Sequence, residues 1–185
     1  MSGNIIERTR QYLLDASDIL KEEKEYAMSF CKKTEYLNGL RDAVINELHE
    51  PVAAGYGDVN SKICFVFPDE ETFNLIKPVI QDVLETFRLN FWDVYVTFID
   101  KTKSNYPDKY GYLINELYAV SPKVLYVIDK TDVSYNNINK GFATSKIPHP
   151  SEKAYHISIE DVCSTEESVK KKLWKMFKYL INYRN

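Results

Sequence analysis

Glycine is scarce in this chain, with 6 in 185 residues, and no two of them are adjacent. That excludes the glycine-rich phosphate loops of the Walker and dinucleotide-binding kinds, which need several positions without a Cβ so that backbone amides can close on a phosphate. Cysteine is scarcer still. Cys31, Cys64 and Cys163 are odd in number and far apart, so neither a disulfide framework nor a paired-thiolate metal site is expected, and no cofactor is called for. No stretch of about 20 apolar residues occurs, so a membrane is not an expected partner. The first residues, Met1-Ser-Gly-Asn-Ile-Ile-Glu-Arg8, lack the charged-then-apolar order of an export signal, and a cytoplasmic protein is expected. An excess of positive charge is missing too. With 24 Lys and Arg against 27 Asp and Glu, and a pI near 5.7, the balance weighs against a strongly basic nucleic-acid binder while leaving room for a local patch.

What the chain has is apolar periodicity and aromatics, 14 Tyr and 9 Phe among them. The length suits one domain with a full core. Residues 4 to 48 carry few breakers, and Ile19, Leu20, Tyr26, Ala27 and Phe30, then Leu37, Leu40, Val44, Ile45 and Leu48 beyond Gly39, predict two or three helices. Gly55-Tyr-Gly57 breaks that pattern. Lys62-Ile-Cys-Phe-Val-Phe67 is a continuous apolar strand, which turns at Pro68-Asp-Glu-Glu71 into a helix whose stripe is Phe73, Ile76, Val79, Ile80, Val83, Leu84 and Phe87, with Pro78 a candidate kink. A second strand is predicted over 93–99, a short helix over 110–118 and a third strand over 123–128. Continuous rather than alternating apolarity predicts strands covered on both faces. Residues 129–140, rich in Asn, Asp and Ser, read as a loop, and 141–148 as a short fourth strand. Ser164 with Glu167 reads as a capping box for a last helix, striped by Val169, Leu173, Met176, Phe177, Leu180 and Ile181, with a lysine run on its other faces. The predicted fold is α/β: a three-layer α/β/α domain on a four-stranded, mainly parallel sheet, with a helical extension over 1–50 and the α/β core over 51–185. In such sheets ligands meet the carboxyl ends of the strands, which singles out residues 67 to 73.

Four motifs come in a telling order: Gly55-x-Gly57 before the first strand, Asp93-Val-Tyr-Val-Thr97 with Lys101 after the second, Ser121-Pro-Lys-Val-Leu125 at the third, and His149-Pro-Ser151 after the fourth. In that order they resemble the uracil-DNA glycosylase superfamily, particularly its bacterial and archaeal iron–sulfur branch, from about residue 28 onward. The resemblance implies a protein of DNA binding or base-excision repair that flips a base out of the stack, holds it on an aromatic face and cuts the glycosidic bond. On that reading Asp69 or Glu70 and His149 are the candidate catalytic groups. Phe73 and Phe98 are the base-facing rings, and Lys101, Lys103, Lys146 and Ser151 are phosphate contacts.

Departures from the family pattern are equally specific. Pro68 stands at the loop's acidic position, and Phe98 stands where an asparagine would read the uracil edge. Cys31 matches the first cluster thiolate, but Thr34 and Thr102 stand at two others, so no iron–sulfur cluster is expected. Each candidate also has a plain structural role: Asp69 and Glu70 at a helix N-terminus, Phe73 in a core, the lysines on a solvated surface, His149 in a loop between prolines. The expectation is therefore a catalytically degenerate glycosylase-like protein that binds DNA. The alternatives are a non-catalytic module for a protein partner and a different α/β enzyme that only looks similar.

Overall fold

The computed structural model describes residues 17–52, 55–102, 104, 108–145, 147–158 and 171. The chain is α/β. The described residues begin with helix α1 (Ser17–Leu48), which runs without interruption through Gly39; the rest of the 4–48 stretch in which two or three helices were expected lies outside the described residues. Gly39 does not break it because a Cβ there would meet nothing within 4 Å, so the glycine lies on an open face and costs only its propensity, about 1 kcal/mol. Leu37 packs against the core, and Lys33 Nζ donates to the Val120 carbonyl at 3.0 Å, so the helix is docked on the α/β unit.

The sheet follows: β1 (Tyr56–Gly57), β2 (Ile63–Phe67), β3 (Tyr95–Phe98), β4 (Val124–Asp129) and β5 (Lys153–Ser158), in the spatial order β1-β3-β2-β4-β5. Parallel pairing joins β3 to β2, β2 to β4 and β4 to β5, whereas the two-residue β1 lies antiparallel on β3. Among the described residues the sheet thus has five strands and is mixed, where four were expected. Between the strands come α2 (Glu70–Thr86), α3 (Lys109–Val120) and α4 (Val133–Thr144).

Strand alternation sends the two halves of each apolar run to opposite faces. Ile63, Phe65 and Phe67 pack with Phe73, Ile80 and Leu84 of α2, whereas Cys64 and Val66 pack with Leu113 and Leu117 of α3 and Ile138 and Phe142 of α4. Because β2 is buried along its whole length, its sequence reads as continuous apolarity. Thr97, in the middle of β3, is fully buried, and its hydroxyl finds no hydrogen-bond partner among the described residues. Thr97→Val keeps the shape and removes the desolvated hydroxyl, so it is expected to raise the unfolding free energy by about 1 kcal/mol, read from the urea midpoint at unchanged m.

The chain after β4 departs from expectation. Residues 133–144, read from the sequence as loop and the start of a strand, form α4, because Ser134, Ile138 and Phe142 recur every fourth residue and are buried on one stripe. Gly141 lies where a Cβ would come to 3.0 Å from the Ile114 side chain, so here glycine permits helix contact rather than marking a turn. The fourth parallel strand is Lys153–Ser158. The expected last helix and its lysine run lie outside the described residues, Lys171 apart, as does Cys163.

Candidate functional site

Crossover α2 covers one face of the sheet, while α3 and α4 cover the other. The connections therefore change sides between β2 and β4, and the crevice beyond the carboxyl ends of those strands is where this topology favours a ligand. Pro68, Asp69 and Glu70 follow β2 there. Asp69 is the N-cap of α2: its backbone is extended, and its carboxylate accepts the Thr72 N–H at 2.7 Å. Glu70 and Glu71 fill the first turn, where the helix dipole favours negative charge. Asp69→Ala is expected to cost about 1 kcal/mol of stability, measured by thermal melting, through loss of the cap.

Neither aromatic candidate faces the crevice. Phe73 is 2% exposed and Phe98 1%, and Phe73 is the hub of a core cluster whose ring centroids lie 5.0 Å from Phe67, 5.4 Å from Tyr56 and Phe91, and 5.8 Å from Phe98. Geometry is edge-to-face throughout, as expected for ring packing without an open slot for a base.

Lys101, three residues beyond β3, is internal rather than free to meet phosphate. Its side chain is 5% exposed and forms a tight ion pair with Glu116 of α3, itself 2% exposed. The other carboxylate oxygen accepts the Tyr95 hydroxyl at 2.6 Å, and the Lys101 ammonium lies 4.4 Å from the centroid of the Tyr112 ring. Burial lowers the Lys101 pKa by more than the neighbouring carboxylate raises it, and the same burial, reinforced by Glu116, pushes the Tyr95 phenol well up. Gly55 closes over this network: a Cβ there would collide with the Tyr95 ring and the Glu116 carboxylate.

Two cavities flank the network. One, of about 80 Å³, is lined by Thr34, Leu37, Gly55, Tyr95 and Glu116. The other, of about 20 Å³, is lined by Val44, Ile99, Lys101, Thr102 and Lys109. Tyr112 borders both. Thr34 and Thr102, the positions where the resemblance would put cluster cysteines, thus lie on either side of a buried ion pair. Among the described residues no group of three His, Cys, Asp or Glu could hold a metal.

His149 and Ser151 are at the other end of the sheet. Val124 pairs with Lys153, and the Glu152 and Lys153 amides both donate to the Lys123 carbonyl, so residues 149–151 precede β5 at the amino edge. The Tyr118 hydroxyl, near the end of α3, holds the same loop through the Ile147 carbonyl at 2.9 Å. The length of β4, about 17 Å for its six residues, separates this loop from the level of Asp69 and Lys101. The His149 ring packs at 4.2 Å on Phe142, and burial there lowers its pKa. Its Nδ1 accepts the Ser151 N–H at 3.0 Å, an arrangement internal to the loop. Lys103 and Lys146 lie outside the described residues.

The residue that sequence reading passed over is Glu116. A signal was present: it sits among Leu113, Leu117 and Val120 on the buried stripe of α3, a charge at an apolar position of a helical repeat. Such a side chain needs a buried partner, and Lys101 is it.

The arrangement is an α/β unit whose connections switch sides between β2 and β4, with an internal Tyr–Glu–Lys network next to β3. No protein-family model matches the chain, and no curated protein matches it either. Among the described residues no helix is long and apolar enough to cross a membrane.

Proposed function

We propose that this chain is a cytoplasmic uracil-DNA glycosylase-like domain of three α/β/α layers that has kept a binding role and lost base excision. One observation carries the reading: the groups that excision would need do not converge. General acid–base chemistry requires its partners within about 3 Å of the reacting atoms or one water away. Here His149 and the Asp69 carboxylate belong to opposite edges of the sheet, Phe98 is in the core, and Lys101 is neutralised by Glu116. The parallel strands and the three motifs at β1, β3 and β4 are what the family likeness rests on, whereas His149-Pro-Ser151, expected after the fourth strand, precedes β5 and lends it no support; Pro68 and Phe98 support the loss of chemistry.

The test is an excision assay on uracil-containing oligonucleotides run beside a salt-titrated binding measurement. No excision, with binding that weakens as salt rises, is the expected outcome. Excision abolished by Asp69→Ala would overturn the reading. A second reading, a scaffold for a basic protein partner, draws on the acidic carboxyl edge, where Asp69, Glu70, Glu71, Asp129 and Asp132 lie near one another in the topology. Absence of any oligonucleotide binding would favour it.

A further inference from the structure

We infer that the part of the sheet face beyond the reach of α2, over β4 and β5, is a docking surface for the chain's own C-terminal stretch, residues 164–181. Strand register puts Val124, Tyr126 and Ile128 of β4 and Tyr155 and Ile157 of β5 on the side where α2 lies. These residues are covered: Tyr126 is 0% exposed, Ile128 1% and Ile157 1%. Helix α2 is not what covers β5. It joins β2 to β3, and the rings that its Phe73 meets at Phe67, Phe98 and Tyr56 belong to β2, β3 and β1, all on the far side from β5 in the strand order. Even centred on β2, a helix shields about 5–6 Å to either side of its axis, whereas β5 lies two strand spacings away, about 9.6 Å. Phe87, Leu89 and Phe91, which also pack on this side, lie between α2 and β3. The remaining helices, α1, α3 and α4, pack on the opposite face. Nothing among the described residues therefore closes over Ile157.

The order of the chain selects the cover. Residues 1–16 lead into α1 on the other face, whereas residue 159 follows directly on Ser158 at the end of β5. The later stretch also carries a matching surface. Val169, Leu173, Met176, Phe177, Leu180 and Ile181 recur every three or four residues, the spacing of one apolar helix stripe. Lys171, Lys175 and Lys178, at i, i+4 and i+7, fall opposite that stripe. Lys171 is helical and exposed, as a stripe turned toward the sheet requires. A helix over 165–181 is about 26 Å long, against about 17 Å for β4, so it crosses the sheet from the carboxyl to the amino edge. Aliphatic and aromatic side chains then meet Tyr126, Tyr155 and Ile157 without burying a charge.

The docking holds whatever the domain binds. Cross-linking in the full chain tests it, in a background of Cys31→Ser and Cys163→Ser that leaves Cys64, which is 0% exposed, as the one native thiol. Tyr155→Cys is combined in turn with Leu173→Cys, with Phe177→Cys and, from the lysine side, with Lys175→Cys, and each is treated with a short bismaleimide at low protein concentration. The expected result is a linked monomer that has lost both introduced thiols for a stripe position, and two free thiols for Lys175→Cys. Thermal melts check that each variant folds. Hydrogen exchange on the unsubstituted chain is a second measurement: the amides of 169–181 are expected to exchange far more slowly than in a free peptide. Linked dimers would give the surface to a second copy, and linking of Tyr155→Cys to Leu13→Cys in place of the stripe would give it to residues 1–16. Either result, equal linking at Lys175→Cys, no link at any stripe position, or exchange at the free-peptide rate would overturn the inference.

Discussion

Glu116→Leu with Lys101 left in place is expected to lower the unfolding free energy by about 3–5 kcal/mol, a large share of the total for a domain of this size. The ammonium would remain in an interior without the carboxylate that pairs with it, and the Tyr95 hydroxyl would lose its acceptor. Lys101→Met alone should cost a similar amount by stranding the carboxylate. Replacing both is a different matter. Removing both ends also removes the desolvation of two charges whose side chains are 5% and 2% exposed. The combination Lys101→Met, Glu116→Leu and Tyr95→Phe is therefore expected to match or exceed the parent protein, as apolar replacements of buried ion pairs often do. Urea denaturation of the two single variants and the combination measures the coupling directly. Single changes costing under about 1 kcal/mol would mean that water reaches the pair.

The same pair explains where sequence reading succeeds and where it stops. The strands β2, β3 and β4 are legible because each is covered on both faces, which leaves runs such as Ile63–Phe67 with no polar interruption. Helix α2 is legible because a strong stripe and an Asp69 cap agree on its start. By contrast α4 hides behind turn-forming residues. Asn136, Asn137, Asn139 and Lys140 lie among Ser134, Ile138 and Phe142, and packing of those three overrides local preference. Strand β5 hides for another reason: Lys153-Ala-Tyr-His-Ile-Ser158 has one fully buried residue, Ile157, so no apolar run announces it. Missing β5 carried the site with it. With 141–148 taken as the fourth strand, His149 fell at its carboxyl end; with Lys153–Ser158 as the strand, the same residue falls before its amino end. Contacts such as Lys101 to Glu116 join residues from different elements, which periodicity within one element cannot reveal.

Uracil excision from single- or double-stranded DNA is expected to stay at background, measured as abasic sites opened by alkali in a labelled oligonucleotide. Pro68 offers no carboxylate where the resembling loop has one. The next candidate, Asp69, already caps α2, and releasing the Thr72 N–H to serve as a base would cost about 1 kcal/mol before any chemistry. Phe98 has no donor or acceptor for the uracil edge and is in any case packed in the core, 1% exposed. His149, the candidate electrophile for the departing base, lies about the length of β4, some 17 Å, from Asp69 along the strand direction. Losing a positioned acid–base group or an electrostatic stabiliser commonly costs about two to four orders of magnitude each, and two such losses bring a glycosylase near the uncatalysed rate. Abasic sites formed in quantity by the parent protein, and lost in Asp69→Ala or His149→Ala, would show instead that the two edges are brought together when DNA is bound, and would return the chain to the enzymes.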